Sequence, residues 1–374
     1  MAQRILITGG AGFIGSFLTD HFLSRGDDVR ILDSLDPQVH PQGRPPWCHR
    51  DVELVQADVR DKAAVAAALA GVQVVVHCAA AVGVGQALYR IRHYVDTNVT
   101  GTATLLEAMV ESGTSFRKLL IPTSMTSYGE GVYRRPSDGA LLRIDVRTEE
   151  GVRLFGWEPV DPASGERLEP VPTAEDAELR ARSVYAYTKR YQEELALSLG
   201  RVYGIPVVCL RLFNVFGPRQ ALSNPYTGVL AIFLSRMLSE RPLVIYEDGL
   251  QTRDFVSVHD VVGAFAAAIA CDAATNEVVN IGTGVPRTIA GIARELADFL
   301  GVAVLLDESS GQFRVGDVRH CFADIARAER LLDFAPERDF QSRLGEIVAW
   351  SETAATADAA IDADAELRSR GLVR

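Results

Sequence analysis

Short apolar runs alternate with amphipathic, helix-like segments through the first half of the chain. The run at residues 72–76 is almost wholly apolar, as in strands that are buried on both faces inside a parallel sheet. Regular alternation of strands and helices predicts an α/β fold with a doubly wound, mostly parallel sheet. The predicted strands are at residues 4–7, 28–32, 52–57, 72–76, 118–121 and 207–212.

The pattern changes twice further along the chain. Residues 130–180 are polar, contain several prolines and lack a clear period. A segment of that length without predicted elements is usually a functional loop or a lid. After residue 219 the alternation is lost, although a helix at 228–239 and a strand at 243–246 are predicted. The tail, 353–374, is rich in Ala and Asp, which predicts a solvated helix or a frayed end.

A glycine-rich loop follows the first predicted strand directly. The segment Thr8–Gly15 contains two overlapping patterns, G-x-G-x-x-G from Gly10 and G-x-x-G-x-x-G from Gly9, and it leads into a predicted helix. Strand, glycine loop and helix form the context in which backbone N–H groups and a helix N-terminus bind a pyrophosphate. The alternative is a glycine turn that serves packing alone.

Asp33 ends the second predicted strand, eighteen residues after Gly15. A carboxylate there hydrogen-bonds the adenosine ribose hydroxyls and repels a 2′-phosphate, so it favours NAD over NADP. Asp58, after the third strand, is placed to reach the adenine amino group. We therefore expect a Rossmann-type domain over residues 1–218, with an insertion at about 130–180, and a smaller C-terminal α/β substrate lobe over residues 219–374, from which about 254–282 return to the first domain.

Tyr185 and Lys189 lie one helical turn apart in a predicted helix. An ammonium beside a phenol favours the phenolate, which would let the tyrosine act as a base near neutral pH. A chance pair on an amphipathic helix is the alternative. His77, at the end of the fourth strand, is expected to pack in the core. Arg253 and Arg319 are candidate phosphate ligands, with surface ion pairs as the alternative.

Charge and composition exclude several classes of partner. The net charge of −11 and the lack of a basic run argue against nucleic-acid binding. Five scattered cysteines form neither a disulfide framework nor a metal motif and suit a reducing cytoplasm. The chain opens directly into a strand, and its longest uncharged apolar stretch, 261–271, is too short to span a bilayer. We expect a cytoplasmic protein without a membrane, nucleic-acid or metal partner.

These motifs, in this order, resemble the extended short-chain dehydrogenase/reductase family, specifically its nucleotide-sugar epimerases and dehydratases. The resemblance implies bound NAD, the catalytic residues Ser124, Tyr185 and Lys189, and a substrate nucleotide-diphosphate sugar. It places the substrate on Ser124, Asn214, Arg253 and Arg319. It implies cofactor contacts at Gly9, Gly12, Phe13, Ile14, Gly15, Asp33, Asp58, Val59, Ala79, Ala80, Asn98, Tyr185 and Lys189.

Two positions separate the activities within this family. Dehydratases carry an Asp-Glu pair directly after the catalytic serine, whereas this chain has Met125 and Thr126, which do no acid-base chemistry at neutral pH. Epimerisation at C4, by transient oxidation and re-reduction on the opposite face, is therefore favoured. Residues 81–86 and 220–233 are similar to dTDP-L-rhamnose 4-epimerase-like proteins, which implies a dTDP-6-deoxy-sugar.

Some relatives carry a C-P-x-C-G knuckle in the insertion, where this chain reads Asp161-Pro162-Ala163-Ser164-Gly165 without a thiolate. The resemblance also implies a homodimer built on helices that flank the sheet. Two other activities stay open. One is an NDP-4-ketosugar reductase or another oxidoreductase or dehydratase of the family, which as a reductase would consume NAD(P)H. The other is a non-catalytic NAD-binding scaffold, against which the intact Ser124, Tyr185 and Lys189 argue.

Overall fold

The computed structural model describes residues 2–145, 147–221, 228–307, 310–312, 317–337, 339–353 and 369–370. The described strands are β1 (Arg4–Thr8), β2 (Asp28–Asp33), β3 (Glu53–Gln56), β4 (Val74–His77), β5 (Lys118–Ser124), β6 (Val132–Arg134), β7 (Leu141–Arg143), β8 (Glu169–Val171), β9 (Val207–Leu212), β10 (Asn214–Phe216), β11 (Thr252–Ser257), β12 (Glu277–Ile281), β13 (Pro286–Thr288) and β14 (His320–Cys321).

The described helices are α1 (Phe13–Ser24), α2 (Lys62–Ala68), α3 (Val84–Ala87), α4 (Ile91–Tyr94), α5 (Gly101–Glu111), α6 (Glu149–Phe155), α7 (Val184–Tyr203), α8 (Val229–Leu238), α9 (Val258–Ala270), α10 (Ile289–Leu300), α11 (Ala326–Leu332) and α12 (Phe340–Thr353). A π-helical turn, Val95–Thr100, joins α4 to α5, and short 3₁₀ turns follow β5 and α9.

Within the described residues, seven parallel strands form the main sheet in the order β12-β9-β5-β4-β1-β2-β3. Both faces of this sheet are covered. Ile5 and Ile7 of β1 pack toward α1, α9 and α11, whereas Leu6 between them packs toward α2, α5 and α7. Burial on both faces explains the nearly continuous apolar sequence of the strands. The predicted doubly wound α/β sheet is confirmed.

The chain leaves β1 toward β2 on one side of the sheet and returns to β4 on the other. Loops at the carboxyl ends of β1 and β4 therefore diverge, and in open α/β sheets the crevice between them is where ligands bind. This reversal of strand order decides where the candidate site lies.

A second, smaller sheet lies beyond β9. Strand β11 pairs with β10 and β14 in parallel and with β13 in the antiparallel sense. Helices α8, α10 and α12 pack around a separate apolar cluster on this side. Strand β12 nevertheless joins the main sheet, and α9 packs against α1. The division of the chain at residue 218 stays a prediction.

Two sequence predictions were wrong in detail. Residues 243–246 form no strand beyond an isolated bridge between Leu243 and Leu306. The insertion at 130–180 is not irregular, because β6, β7 and β8 form an antiparallel sheet over buried Tyr133, Ile144 and Leu168, and α6 lies between β7 and β8. Strands of three residues are too short to reveal a period of two.

Parts of two other predictions lie outside the described residues. They are 222–227, within the stretch 220–233, and most of the tail, 354–368 and 371–374. None of the described helices combines the length and the apolar character needed to cross a bilayer.

A buried ion pair fixes α7 to the sheet. Arg211 of β9 donates from Nε and Nη2 to Glu193 of α7, at 2.9 and 2.5 Å, and from Nη1 to the Tyr128 hydroxyl at 2.9 Å. Glu193 also accepts a hydrogen bond from Thr123 of β5. The two charged side chains are only 4% and 3% exposed, so each depends on the other for its neutralisation.

Glu193→Gln should lower the free energy of unfolding by about 3 kcal/mol or more, because it leaves the buried guanidinium without its counter-charge. Urea denaturation followed by fluorescence measures this change. Glu194→Gln, one residue away on the same helix, removes only the exposed pair with Arg190 and should cost less than about 0.5 kcal/mol. Equal losses in the two variants would contradict a special role for the buried pair.

Candidate active site

A cavity of about 720 Å³ opens at the carboxyl ends of the main-sheet strands. Its wall contains residues that follow β1, β2, β4, β5 and β9, and it continues into the lobe around β11. The predicted site residues that line it are Gly9, Gly12, Phe13, Ile14, Gly15, Asp33, Asp58, Val59, Ala79, Ala80, Ser124, Tyr185, Lys189, Asn214 and Arg253. Asn98 and Arg319 do not line this cavity.

The glycine loop is packed so closely that side chains are excluded. A Cβ on Gly15 would lie 2.2 Å from the Gly9 carbonyl oxygen, and one on Gly9, whose φ is +70°, would lie 2.7 Å from the Ala79 nitrogen. The loop between β1 and α1 is therefore only four residues long, from Gly9 to Gly12. The N-cap of α1, Gly12, supplies no side chain to the first-turn N–H groups, which leaves them for an anion. This cradle fits the pyrophosphate of a dinucleotide.

Asp33 is held in one orientation at the end of β2. Its carboxylate accepts N–H bonds from Ala11 at 3.0 Å and Leu35 at 2.9 Å while it lines the cavity. A fixed carboxylate has further lone pairs for ribose hydroxyls. Asp58 is paired with Arg60 through two hydrogen bonds of 2.8 and 2.6 Å. This pairing is the main cause that holds the pKa of Asp58 below its usual value. Both groups thus present acceptors along the predicted adenosine side of the cavity.

Asn98 lies outside the cavity wall, and its predicted contact with the cofactor stays a prediction. It is fully buried in the π-helical turn, where its amide bonds both backbone groups of Ala81, at 2.7 and 3.0 Å, and donates to Thr188 of α7 at 2.9 Å. With these partners it ties the loop after β4 to α7 instead of facing the cavity. His77 is buried as expected, between the hydroxyls of Thr8 and Thr102, and burial lowers its pKa to about 3.

The three predicted catalytic residues converge on one end of the cavity. Ser124 ends β5, and Tyr185 and Lys189 occupy the first two turns of α7, which starts at the N-cap Ser183. Both Tyr185 and Ser124 line the cavity, and Ser124 acts to lower the pKa of the Tyr185 phenol. Lys189 donates to the Pro122 carbonyl oxygen and to Gln192, both at 2.8 Å.

Burial controls the acid-base behaviour of this group. It raises the pKa of Tyr185 to about 12, and the opposing effect of Ser124 offsets only part of that increase. It lowers the pKa of Lys189 to about 8, so the ammonium form still predominates at neutral pH. Desolvation thus outweighs the effect of Ser124 on the phenol, and the expectation that Lys189 lowers the pKa of Tyr185 stays a prediction.

Asn214 and Arg253 lie on the lobe side of the cavity. The Oδ1 atom of Asn214 is buried and has no hydrogen-bond partner among the described residues, which leaves an acceptor in the wall. Arg253 of β11 donates from Nη1 and Nη2 to the carbonyl oxygens of Thr252 and Val318 and to the carboxylate of Asp317. Its guanidinium is thus held by neighbouring backbone at the edge of the cavity.

Arg319 also lies outside the cavity wall. Its side chain is completely buried, and its guanidinium donates to Glu158, Glu247 and Asp248. Those three carboxylates satisfy it away from the cavity, so its position does not support a direct contact with a diphosphate. Asp317 and Val318, its neighbours, line the cavity in its place.

Several cavity residues were missed from the sequence. Gln38, in the Pro/Gly-rich loop after β2, exchanges side-chain hydrogen bonds with Gln86 of α3 across the cleft, at 3.2 and 3.4 Å. Arg182 and Arg219 also line the wall, and Arg219 pairs with Asp20 at 2.7 Å. Only the position of Arg219 directly after Gly217-Pro218 offered a signal in the sequence.

Hydrogen bonds to Asp161 hold the cysteine-free turn of the insertion together. Asp161 accepts hydrogen bonds from Arg135, from the Ser164 hydroxyl and from the Ala163 N–H group. Within the part of the chain that the structure describes, His, Cys, Asp and Glu side chains form no group of three suited to a metal ion.

Comparison with known proteins gives a consistent result. The profile of the NAD dependent epimerase/dehydratase family matches residues 5–151 and 162–282 and leaves 152–161 between them unmatched. The chain is 35% identical over 356 residues to a dTDP-L-rhamnose 4-epimerase from Burkholderia thailandensis, covering 93% of this chain and 94% of the relative.

Two solved structures have a similar fold. One is the UDP-glucose 4-epimerase of Thermotoga maritima with UDP-glucose, at a TM-score of 0.76 and 27% identity, covering 94% of this chain and 99% of that one. The other is the UDP-glucose 4-epimerase of Thermus thermophilus in complex with NAD, at a TM-score of 0.74 and 28% identity with the same coverage. Since the profile spans most of the chain and the fold agrees along nearly all of it, the chain belongs to the NAD dependent epimerase/dehydratase family.

Proposed function

We propose that this protein is an NAD-dependent 4-epimerase of nucleotide-diphosphate sugars, with a dTDP-6-deoxy-sugar as its substrate. The observation that carries the proposal is the convergence of Ser124, Tyr185 and Lys189 on the cavity that also contains the glycine cradle and Asp33. The similarity to the Burkholderia thailandensis enzyme supports the choice of sugar.

NAD, when bound, supplies the hydride acceptor and donor for C4. The chain supplies the proton chemistry. Tyr185 takes the proton of the 4-hydroxyl, and Ser124, which lines the same end of the cavity, binds the same sugar oxygen. The ammonium of Lys189, one turn along α7, stabilises the phenolate. The proton returns from Tyr185 after the oxidised sugar has turned its other face toward the cofactor.

The residues after Ser124 argue against dehydration. Met125 is buried, and the Thr126 hydroxyl donates to the Ser124 oxygen at 2.9 Å. Neither side chain can remove a proton from the sugar at neutral pH. Epimerisation needs no acid-base group beyond Tyr185, which makes it the reaction that this set of residues supports best.

We also propose that the protein is a cytoplasmic homodimer. Tyr187 and Tyr191 lie on one face of α7 and are 49% and 53% exposed, and large exposed aromatic side chains on a helix that flanks the sheet favour self-association. All five cysteines are free, which suits a reducing compartment. These two assignments are independent of the chemistry.

The first test is incubation of the purified protein, without added cofactor, with dTDP-, UDP- and GDP-sugars. We expect a C4 epimer, detected by NMR, with no net change in NADH absorbance, and the best conversion with a dTDP-6-deoxy-sugar. Conversion that consumes NAD(P)H stoichiometrically would replace the proposal with a ketosugar reductase. Cofactor binding without conversion of any sugar would favour a scaffold.

Tyr185→Phe should lower kcat for epimerisation by at least about 100-fold, because it removes the group that exchanges the 4-hydroxyl proton. Tyr203→Phe is the matched control at the far end of the same helix, since that side chain is exposed, and it should leave kcat unchanged. Near-normal turnover by Tyr185→Phe would show that another group moves the proton.

Lys189→Met should shift the acidic limb of the kcat/KM pH profile to higher pH. Loss of the cation raises the pKa of Tyr185, so less phenolate is present at any given pH and the rate near neutral pH falls by about 10- to 100-fold. Profiles from about pH 6 to about pH 10 measure this shift.

Lys118→Met is the control for this profile. Lys118 is also buried, but it lies at the opposite end of β5 and donates to the Cys271 carbonyl oxygen. Its loss should lower the stability of the fold without moving the limb. If the acidic limb of the kcat/KM profile of Lys189→Met stays at the wild-type pH, Lys189 does not stabilise the phenolate of Tyr185.

A further inference from the structure

Residues 152–161, the segment between the two ranges matched by the family profile, reach across to the lobe. They contain the end of α6 and the turn that leads toward β8. Glu158, in this turn, accepts hydrogen bonds from the Arg319 side chain and, at 3.0 Å, pairs with Nε2 of His320. One carboxylate of the insertion thus holds two consecutive residues at the start of β14.

Other groups of the insertion hold the same short stretch. Glu130 accepts the backbone N–H of Arg319 at 2.7 Å. Arg147 binds Glu247 through two hydrogen bonds of 3.1 and 2.7 Å and also donates to the Trp157 carbonyl oxygen. Because Glu247 also accepts a hydrogen bond from the Arg319 guanidinium, the insertion and the lobe share one buried ionic cluster.

Residues 317–319, which lie directly before β14, orient the side chain of Arg253. The Arg253 guanidinium donates to the carbonyl oxygens of Val318, at 2.5 Å, and Arg319, at 3.2 Å. It also bonds the Asp317 carboxylate at 3.1 Å. With the bond from Nη1 to the Thr252 carbonyl oxygen, these contacts use the four Nη hydrogens and leave Nε–H as the remaining donor. Since the guanidinium is planar and Arg253 lines the cavity, the position of these acceptors fixes the plane of the cation and the direction of that N–H group.

We infer that the segment 152–161 positions Arg253 for the substrate diphosphate, with Glu158 and Arg319 as positioning residues that never touch the ligand. The inference rests on the proposed function, because it assigns a nucleoside diphosphate to Arg253. Glu158 fixes the Arg319 side chain, Arg319 fixes the backbone of residues 317–319, and that backbone fixes the Arg253 guanidinium. The insertion thereby influences substrate binding without any of these residues contacting the substrate.

The charge of Glu158 is permanent under working conditions. Burial by itself would raise its pKa, but the hydrogen bonds from His320 and Arg319 outweigh burial and hold the pKa at about 2. Its side chain remains 32% exposed, so the residue can be replaced without opening a cavity in the core. Glu158 is therefore the member of the cluster best suited to an experiment.

The test measures binding of dTDP and UDP to the purified full chain by titration calorimetry. Glu158→Ala should weaken nucleotide binding by about 5- to 10-fold. Arg253→Lys keeps a charge but loses the planar fork, so its binding should be weaker yet measurable. Adding Glu158→Ala to Arg253→Lys should change the affinity by less than about 2-fold, because the residue that it positions is already gone.

Asp161→Ala is the matched control in the same segment. Asp161 is more deeply buried than Glu158, and its partners are Arg135, Ala163 and Ser164, none of which contacts the lobe cluster. This variant should lower the melting temperature at least as much as Glu158→Ala but leave nucleotide affinity within about 2-fold of the wild type. General loosening of the insertion would instead weaken binding equally in both variants and overturn the inference.

The remaining outcomes separate the inference from the function on which it rests. If the wild type binds dTDP or UDP and Glu158→Ala binds equally well, the inference is wrong while the proposed function stands. If Glu158→Ala weakens binding by the same factor in the wild type and in the Arg253→Lys variant, the effect does not pass through Arg253 and the inference is again wrong. Lack of nucleotide binding by the wild type would overturn the proposed function and the inference together.

Discussion

The buried pair of Arg211 and Glu193 is the interaction on which the arrangement of the site depends. It connects β9, next to the edge strand β12 of the main sheet, to the middle of α7, and through Thr123 and Tyr128 it includes the end of β5 and the turn after it. Ser124 follows Thr123 directly, and Tyr185 and Lys189 lie two and one turns before Glu193 on α7. Together with the hydrogen bond from Lys189 to the Pro122 carbonyl oxygen, this desolvated contact holds α7 in register with β5, which places the serine and the tyrosine at the same end of the cavity.

Local patterns predicted the parts of the structure that depend on neighbours in sequence. The glycine loop, Asp33 at the end of β2 and the spacing of Tyr185 and Lys189 are such features, because a strand end or a helical turn decides where each side chain lies. The structure brings all of them to one cavity. The doubly wound sheet followed from the alternation of elements for the same reason.

The sequence was least informative where partners distant in sequence decide the position and environment of a side chain. Arg319 has the chemistry of a phosphate ligand, yet Glu158 and Asp248, 161 and 71 residues away, are its partners. Asn98 bonds Thr188, 90 residues along the chain. The pKa of Tyr185 follows from burial, which no spacing reports. In each case the residue type indicated what the side chain can bind or exchange, but not which neighbouring groups surround it in the fold.

The burial of Lys189 has a consequence for the stability of the whole fold. Its pKa is about 8 in the folded chain against an ordinary value of 10.5, so the unfolded chain binds the proton more tightly. Between these two values stability rises with pH as the folded form loses its proton, and below about pH 8 the full cost, about 3 kcal/mol, is present. The fold therefore keeps its interior ammonium at neutral pH at the expense of its own stability. A sequence selected only for thermal resistance would be expected to lose that lysine first.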